Sequence, residues 1–178
     1  MKRYEFFCCT IFYNLSNKLF ITLMGFVVLL IDGQLSDLIT TLAGRTVLLQ
    51  VHLLLIFSFL LLRFLDTDFF TYLLALVLGL IYDSYYLNFI GVAFFMLPIF
   101  VYLLKRGRSF FITPTRSALG FFLLIFVYEV GAYGLAYLFH LTTYNPLSFV
   151  TYQLVITLVF NTLLFIFLDK IVHKIGSK

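Results

Sequence analysis

A chain of 178 residues with 63% hydrophobic and 11% charged residues lies far from soluble domains, where about half the residues are apolar and about a quarter charged. With a mean hydropathy of +1.09, this composition excludes a disordered chain, a coiled coil, a disulfide-stapled secreted module and any sizeable domain outside a membrane. The excess of 12 Lys and Arg over 8 Asp and Glu reads as positive flanks facing the cytoplasm and its acidic lipids, with no nucleic acid as partner.

In chain order, Met1-Lys2-Arg3 leads into Cys8 and Cys9. Adjacent cysteines rarely bridge each other and lack metal-ligand spacing, so they predict neither a disulfide nor a zinc site. The first span is expected at about residues 12–31. Asp32-Gly33-Gln34 after it has no small-residue cleavage site, so the segment reads as a retained anchor and not as a signal peptide. The stretch from Asp32 to Thr46 reads as the longest outer connection, or a surface-lying helix.

Five more spans follow at about 46–65, 69–83, 85–104, 117–139 and 147–168. A crossing helix needs about 20 residues. The third run is too short unless Asp83 and its neighbours also lie within the membrane. Six spans with both termini in the cytoplasm place eleven of the twelve basic residues inside, leaving Arg45 outside, as the positive-inside rule requires. Five spans would separate the C-terminal lysines from the cluster Lys105, Arg106, Arg108 and Arg116. The aromatic belt falls to Tyr because the chain has 12 Tyr and no Trp; Tyr82, Tyr85, Tyr86 and Tyr144 fall at the outer ends. The expected fold is an all-α polytopic membrane protein, a single domain over 1–178 with short loops and no internal repeat.

Chemistry in such a chain is sought first at ionisable residues in apolar spans, because each costs at least about 2.5–3.5 kcal/mol to insert. Glu129 falls in the middle of span five, and it is expected to meet protein polar groups or stay protonated. His52, Gln50, Asn161 and Tyr133 are its candidate partners. Asp83 lies where the third span ends, and it reads either as a cap for the start of span four or as a buried node that organises helices. Residues 129, 132 and 136 share a helix face, and Ala132 and Ala136 form a small pair that suits close packing, within the bundle or against another membrane protein. Gly79 and Gly91 bracket the Asp83 turn as backbone permissions. The basic cluster, flanked by Phe110, Phe111 and Ile112, reads as a topology determinant on lipid headgroups or as a surface for a cytoplasmic partner. The chain carries no catalytic signature, no phosphate loop and no Cys/His cluster, so no enzyme activity, metal or cofactor is expected.

The stretch Gly79-Leu-Ile-Tyr-Asp83-Ser-Tyr-Tyr-Leu-Asn-Phe-Ile-Gly91, followed by an apolar helix ending Tyr102-Leu-Leu-Lys-Arg, resembles the bacterial rod shape-determining protein family MreD. Gly79, Asp83 and Gly91 match that family's motif, whereas Glu129, Ala132 and Ala136 have no counterpart in it. The resemblance implies a non-enzymatic scaffold of peptidoglycan elongation in the bacterial cytoplasmic membrane. It implies a single-span MreC-like partner and a RodA-type synthase with its transpeptidase, bound directly or indirectly. It also implies an architecture similar to the substrate-binding subunits of energy-coupling-factor transporters. The alternative function is therefore a vitamin-type transport subunit with a polar pocket open to the outer side.

Overall fold

The structure, a computed structural model, describes residues 18–42, 49–64, 69–143 and 145–176. The start of the first span near residue 12, Cys8, Cys9, Arg45 and Tyr144 lie outside the described residues.

All regular structure among the described residues is helical. This suits a chain with little polar side-chain material, because an apolar surrounding requires each backbone N–H and C=O to be satisfied within the protein. Helix α1 is Lys18–Leu42, α2 is Leu53–Phe64, and α3 is Phe69–Tyr82, which tightens into a π turn at Asp83–Leu87. Helix α4 is Ala93–Arg106 and α5 is Pro114–Leu138. The last helix, α6, opens at Pro146–Phe149, passes a second π turn at Val150–Leu154 and continues as Val155–Gly176. Proline opens both α5 and α6, a position where its missing N–H costs nothing and its φ suits the helix.

Among the described residues, four stretches are long and apolar enough to cross a membrane: Phe20–Leu42, Phe69–Tyr86, Pro114–Leu138 and Pro146–Val172. The third expected span reaches this length only because the π turn carries it past Asp83. Helices α2 and α4 are shorter, at 12 and 14 residues, or roughly 18 and 21 Å.

Three expected boundaries move. Helix α1 does not end at Asp32-Gly33-Gln34 but runs on to Leu42. The second helix begins only at Leu53, preceded by non-helical residues 49–52, and the fourth begins at Ala93 and not near Tyr85. One physical cause underlies all three: a buried aspartate inside one helix accepts the free amides at the start of the next.

The core has two parts. Phe59, Phe111, Phe121 and Phe165 form an aromatic cluster in which Phe121 and Phe165 stack at 4.3 Å, and Phe59 lies 5.0–5.5 Å from the other three. Along the same helices, Asp32, His52, Glu129, Thr157 and Asn161 are buried together with apolar neighbours. Close crossings depend on glycine at particular positions. A Cβ on Gly79 would stand 2.7 Å from the Ala93 carbonyl oxygen, so only glycine lets α3 meet α4 at that point. A Cβ on Gly33 would stand 2.0 Å from the Tyr86 ring, and the Tyr86 hydroxyl donates to the Leu30 carbonyl at 3.1 Å, tying α3 to α1.

Candidate functional site: two aspartate caps and a buried polar cluster

The π turn after α3 points Asp83 into the protein, where its side chain is fully buried. Its carboxylate accepts three backbone amides: Gly91 at 2.8 Å, Ala93 at 2.8 Å and Phe94 at 3.0 Å. These are donors that no turn of α4 can satisfy, and a carboxylate at a helix start also meets the positive end of the helix dipole. Gly91 has φ +144°, a conformation reserved for glycine, which brings its N–H around to Asp83. A Cβ there would meet nothing within 3.4 Å, so Gly91 is required for its dihedral and Gly79 for space.

Asp32 repeats the device one hairpin earlier. From the middle of α1 it accepts the amides of Leu53 at 2.7 Å and Leu54 at 3.5 Å, capping α2. Helix α1 continues past this point, and its next turns hold the non-helical residues 49–52. Ser36 Oγ accepts from the Val51 amide at 2.9 Å, and it donates to the carbonyls of Asp32 at 2.8 Å and Val51 at 3.4 Å. Thr40 Oγ1 donates to the Leu49 carbonyl at 3.3 Å.

Helix α6 holds the other edge of this segment. Asn161 Oδ1 accepts from the His52 amide at 2.7 Å while its Nδ2 donates to the Gln50 carbonyl at 2.7 Å and the Thr157 carbonyl at 2.8 Å. The Gln50 amide donates to Thr157 Oγ1 at 3.3 Å. Asn161 thus takes the part of a neighbouring β-strand, and two helices supply by side chains the bonds that a non-helical backbone lacks. Inside a membrane such backbone is tolerated only where protein satisfies it.

The segment ends at His52, whose Nε2 pairs with Glu129 Oε1 of α5. Gln153 Nε2, from the second π turn, donates to Glu129 Oε2 at 3.4 Å. The edge of Tyr128 closes over the His52 ring at 5.3 Å. Each π turn thus carries a polar side chain inward, Asp83 in the first and Gln153 in the second, as π turns at functional sites commonly do. Glu129, 2% exposed, is joined to α2 by His52 and to α6 by Gln153. The polar atoms of the arrangement turn toward one another.

Of the expected partners of Glu129, His52 contacts it directly. Asn161 and Gln50 belong to the same cluster one bond further out. Tyr133 instead stacks on Phe149 at 4.1 Å. Ala132 packs against the core and Ala136 is half-buried. Two glycines make the close approaches on this helix: a Cβ on Gly131 would stand 2.4 Å from Met96 Cε, and one on Gly120 would stand 2.1 Å from the Phe111 ring. Asp32, Ser36, Thr40, Thr157 and Gln153 are cluster members the sequence reading missed. A signal existed: Ser36/Thr40 and Thr157/Asn161 are polar pairs four residues apart on apolar helices, a spacing that aligns them on one face. Among the described residues no group of three or more His, Cys, Asp or Glu is placed to hold a metal ion. A small cavity of about 30 Å³ lies between α2, α3 and α4, lined by residues such as Ser58, Thr71 and Leu78 and apart from the polar cluster.

Comparison with known proteins adds a family to this geometry. The family model described as rod shape-determining protein MreD matches residues 15–175. The cell shape-determining protein MreD of Streptococcus pneumoniae (strain ATCC BAA-255 / R6) is 32% identical over 138 residues, covering 75% of this chain and 81% of that protein. No solved structure matches the chain.

Proposed function

The chain belongs to the MreD family of rod shape-determining proteins, and from that premise we propose that it is a non-enzymatic scaffold of cell-wall elongation. Family membership gives a role in cell shape and, with several apolar helices, a multi-pass membrane protein. The finer reading is that it sits in the bacterial cytoplasmic membrane and holds a single-span MreC-like protein. Through that protein or directly, it holds a RodA-type synthase with its transpeptidase. The observation that carries the scaffold reading is the closed polar cluster. Asp32, His52, Glu129, Gln153 and Asn161 bond to one another and to backbone, linking α1, α2, α5 and α6. A rigid bundle of this kind presents constant outer faces to a partner's helix, and in membranes helices associate through shape and small polar contacts.

Six crossings with both termini in the cytoplasm fit this arrangement. Helix α2 is short, but four non-helical residues precede it and can span at most roughly 13 Å, a reach that with the helix covers about 30 Å of hydrocarbon. The basic connection after α4 and the lysines at the end of α6 then share the cytoplasmic side.

The test is recovery of partners from native membranes in mild detergent. Wild type is expected to bring down MreC-like and wall-synthase proteins. Glu129→Gln, which keeps hydrogen-bonding capacity, retains them, and Glu129→Leu loses most of them. Recovery of an ATPase-containing coupling module without wall-synthesis proteins, or depletion that leaves cell shape unchanged, overturns the reading.

A further inference from the structure

Helices α2 and α3 follow one another in the chain yet barely meet: α2 packs on α1, α4 and α6, and α3 packs on α4 and α1. The small cavity between α2, α3 and α4 lies in the cleft that this leaves, with Val101 of α4 at its floor. Phe57 and Ser58 of α2 line one wall, and Thr71, Leu74 and Ala75 of α3 line the other. Phe57, Ser58, Thr71 and Leu74 are half-buried, whereas Ala75 and Val101 are buried. The cleft therefore opens sideways, on the surface that apolar helices turn to a membrane. At Leu78 it meets α1, where a Cβ on Gly25 would stand 3.2 Å from the leucine side chain.

The two hydroxyls of the cleft differ from others in the bundle. Serine and threonine on a helix commonly turn back to the carbonyl one turn earlier. Here Ser36 donates to the Asp32 carbonyl, Ser84 to Leu80 and Thr151 to Leu147, at 2.7–3.0 Å. Ser58 and Thr71 make no such bond, and among the described residues no other group bonds to either hydroxyl. A hydroxyl left unpaired in an apolar medium is costly, and an acyl chain offers it no partner. A passing helix offers the polar side chains of its own Ser, Thr, Asn or Gln, and small residues such as Ser58, Thr71 and Ala75 let such a helix approach closely. From Thr71 to Leu78 the wall rises roughly 10 Å, the length of two helical turns, and the cavity takes one side chain of the helix that lies over it.

We propose that the cleft between α2 and α3 seats one membrane-spanning helix of another protein, which brings a hydrogen-bonding side chain to Ser58 and Thr71. The proposal deepens the scaffold reading and rests on it for the partner, the single-span protein. The test uses the full chain in its native membrane, with the photo-crosslinking residue benzoylphenylalanine in place of Phe57 or Leu74 on the cleft. Phe126 of α5 and Val159 of α6, on exposed apolar faces, are replaced in the same way as controls, and the adducts are identified by mass spectrometry. The two cleft positions are expected to attach to the membrane segment of one single-span protein, and the two controls are not. Ser58→Ala/Thr71→Val is expected to lose about tenfold of that adduct, since interhelical hydrogen bonds in membranes are worth about threefold each. Its thermal unfolding in detergent stays at the wild-type temperature, because the two hydroxyls bond nothing inside the bundle; a purely structural role would lower it. Ser58→Thr/Thr71→Ser keeps most of the adduct. If the double Ala/Val variant does not fold, the four cross-linking positions decide.

A cleft adduct to a single-span protein with no part in wall synthesis supports the cleft and overturns the scaffold reading. MreC-like protein that co-purifies but cross-links only through Phe126 or Val159 leaves the scaffold reading standing and overturns the cleft. Equal adducts at all four positions, lipid alone or a second copy of this chain at Phe57 and Leu74, or an undiminished adduct in the folded double variant also overturn the proposal.

Discussion

Asp83 and Asp32 perform the same local task in different surroundings. Asp32 lies in the middle of one hairpin's first helix and Asp83 in the turn that ends another's, and each caps the short helix that follows. Asp83 is self-contained: three amides from one short stretch surround it, and a glycine dihedral brings one of them into place. Asp32 is the near edge of a larger cluster, because the segment it caps is also clamped by α1 and α6 and ends on the His52–Glu129 pair. The first cap shapes one hairpin. The second ties that hairpin to the far half of the chain across sequence separations of 77 and 109 residues. A buried carboxylate in an apolar helix thus has two uses here, local closure and long-range registration, and its neighbours decide which.

This difference makes the two sites break in different ways. Asp83→Ala leaves three amides without their acceptor, and at about 1–3 kcal/mol for each buried group left unpaired it is expected to lower stability far more than the roughly 1 kcal/mol of an exposed cap. Thermal unfolding in detergent checks this. Asp83→Asn falls between Ala and wild type, because both carboxylate oxygens accept and an amide offers only one acceptor. Equal stability of the Asn and Asp proteins would show that the second oxygen is not needed.

Asn161→Leu comes next. It strips the acceptor from the His52 amide and the donor from the Gln50 carbonyl, with an expected loss of about 2–5 kcal/mol and faster amide exchange confined to residues 49–52. If exchange rises equally around Gly91, the two regions are not separate and the comparison fails. Gly91→Ala is expected to cost about 1–3 kcal/mol, because the new side chain must adopt a strained dihedral, although space is available for it. Gly134→Ala has the smallest effect: a Cβ there meets nothing within 4 Å, so the helix gains up to about 1 kcal/mol. A large loss at Gly134, read by the same unfolding assay, would place it at a contact outside the bundle.

Much of the local device was legible in the chain. A lone acid between two apolar runs that are too short together for two helices and a turn points to Asp83 as a cap or a buried node, and Gly79 and Gly91 bracket its turn as backbone permissions. The apolar content identifies the membrane class without any structure. Asp32 was not legible, because Asp-Gly-Gln-Leu-Ser reads as the end of a helix. Only the amides of Leu53 and Leu54, supplied from another helix, make an acid acceptable inside α1. Residues 49–52 were misread for a related reason: Leu-Gln-Val-His continues an apolar run, and what satisfies it outside a helix is Ser36, Thr40, Thr157 and Asn161, far away in sequence. Glu129 was identified as a buried acid needing partners, and His52 stood among the candidates. Spacing could not choose between His52 and Tyr133, because the choice depends on how α2 and α5 pack.

The central claim is that the His52–Glu129 pair joins the two halves of the bundle. A double-mutant cycle tests it most directly, with His52→Leu, Glu129→Leu and the combined variant unfolded under identical detergent conditions. The account predicts that the double variant is less destabilised than the sum of the singles by about 1–3 kcal/mol, the range for contacting groups in one network. Strict additivity would mean that the two residues act independently and would contradict it.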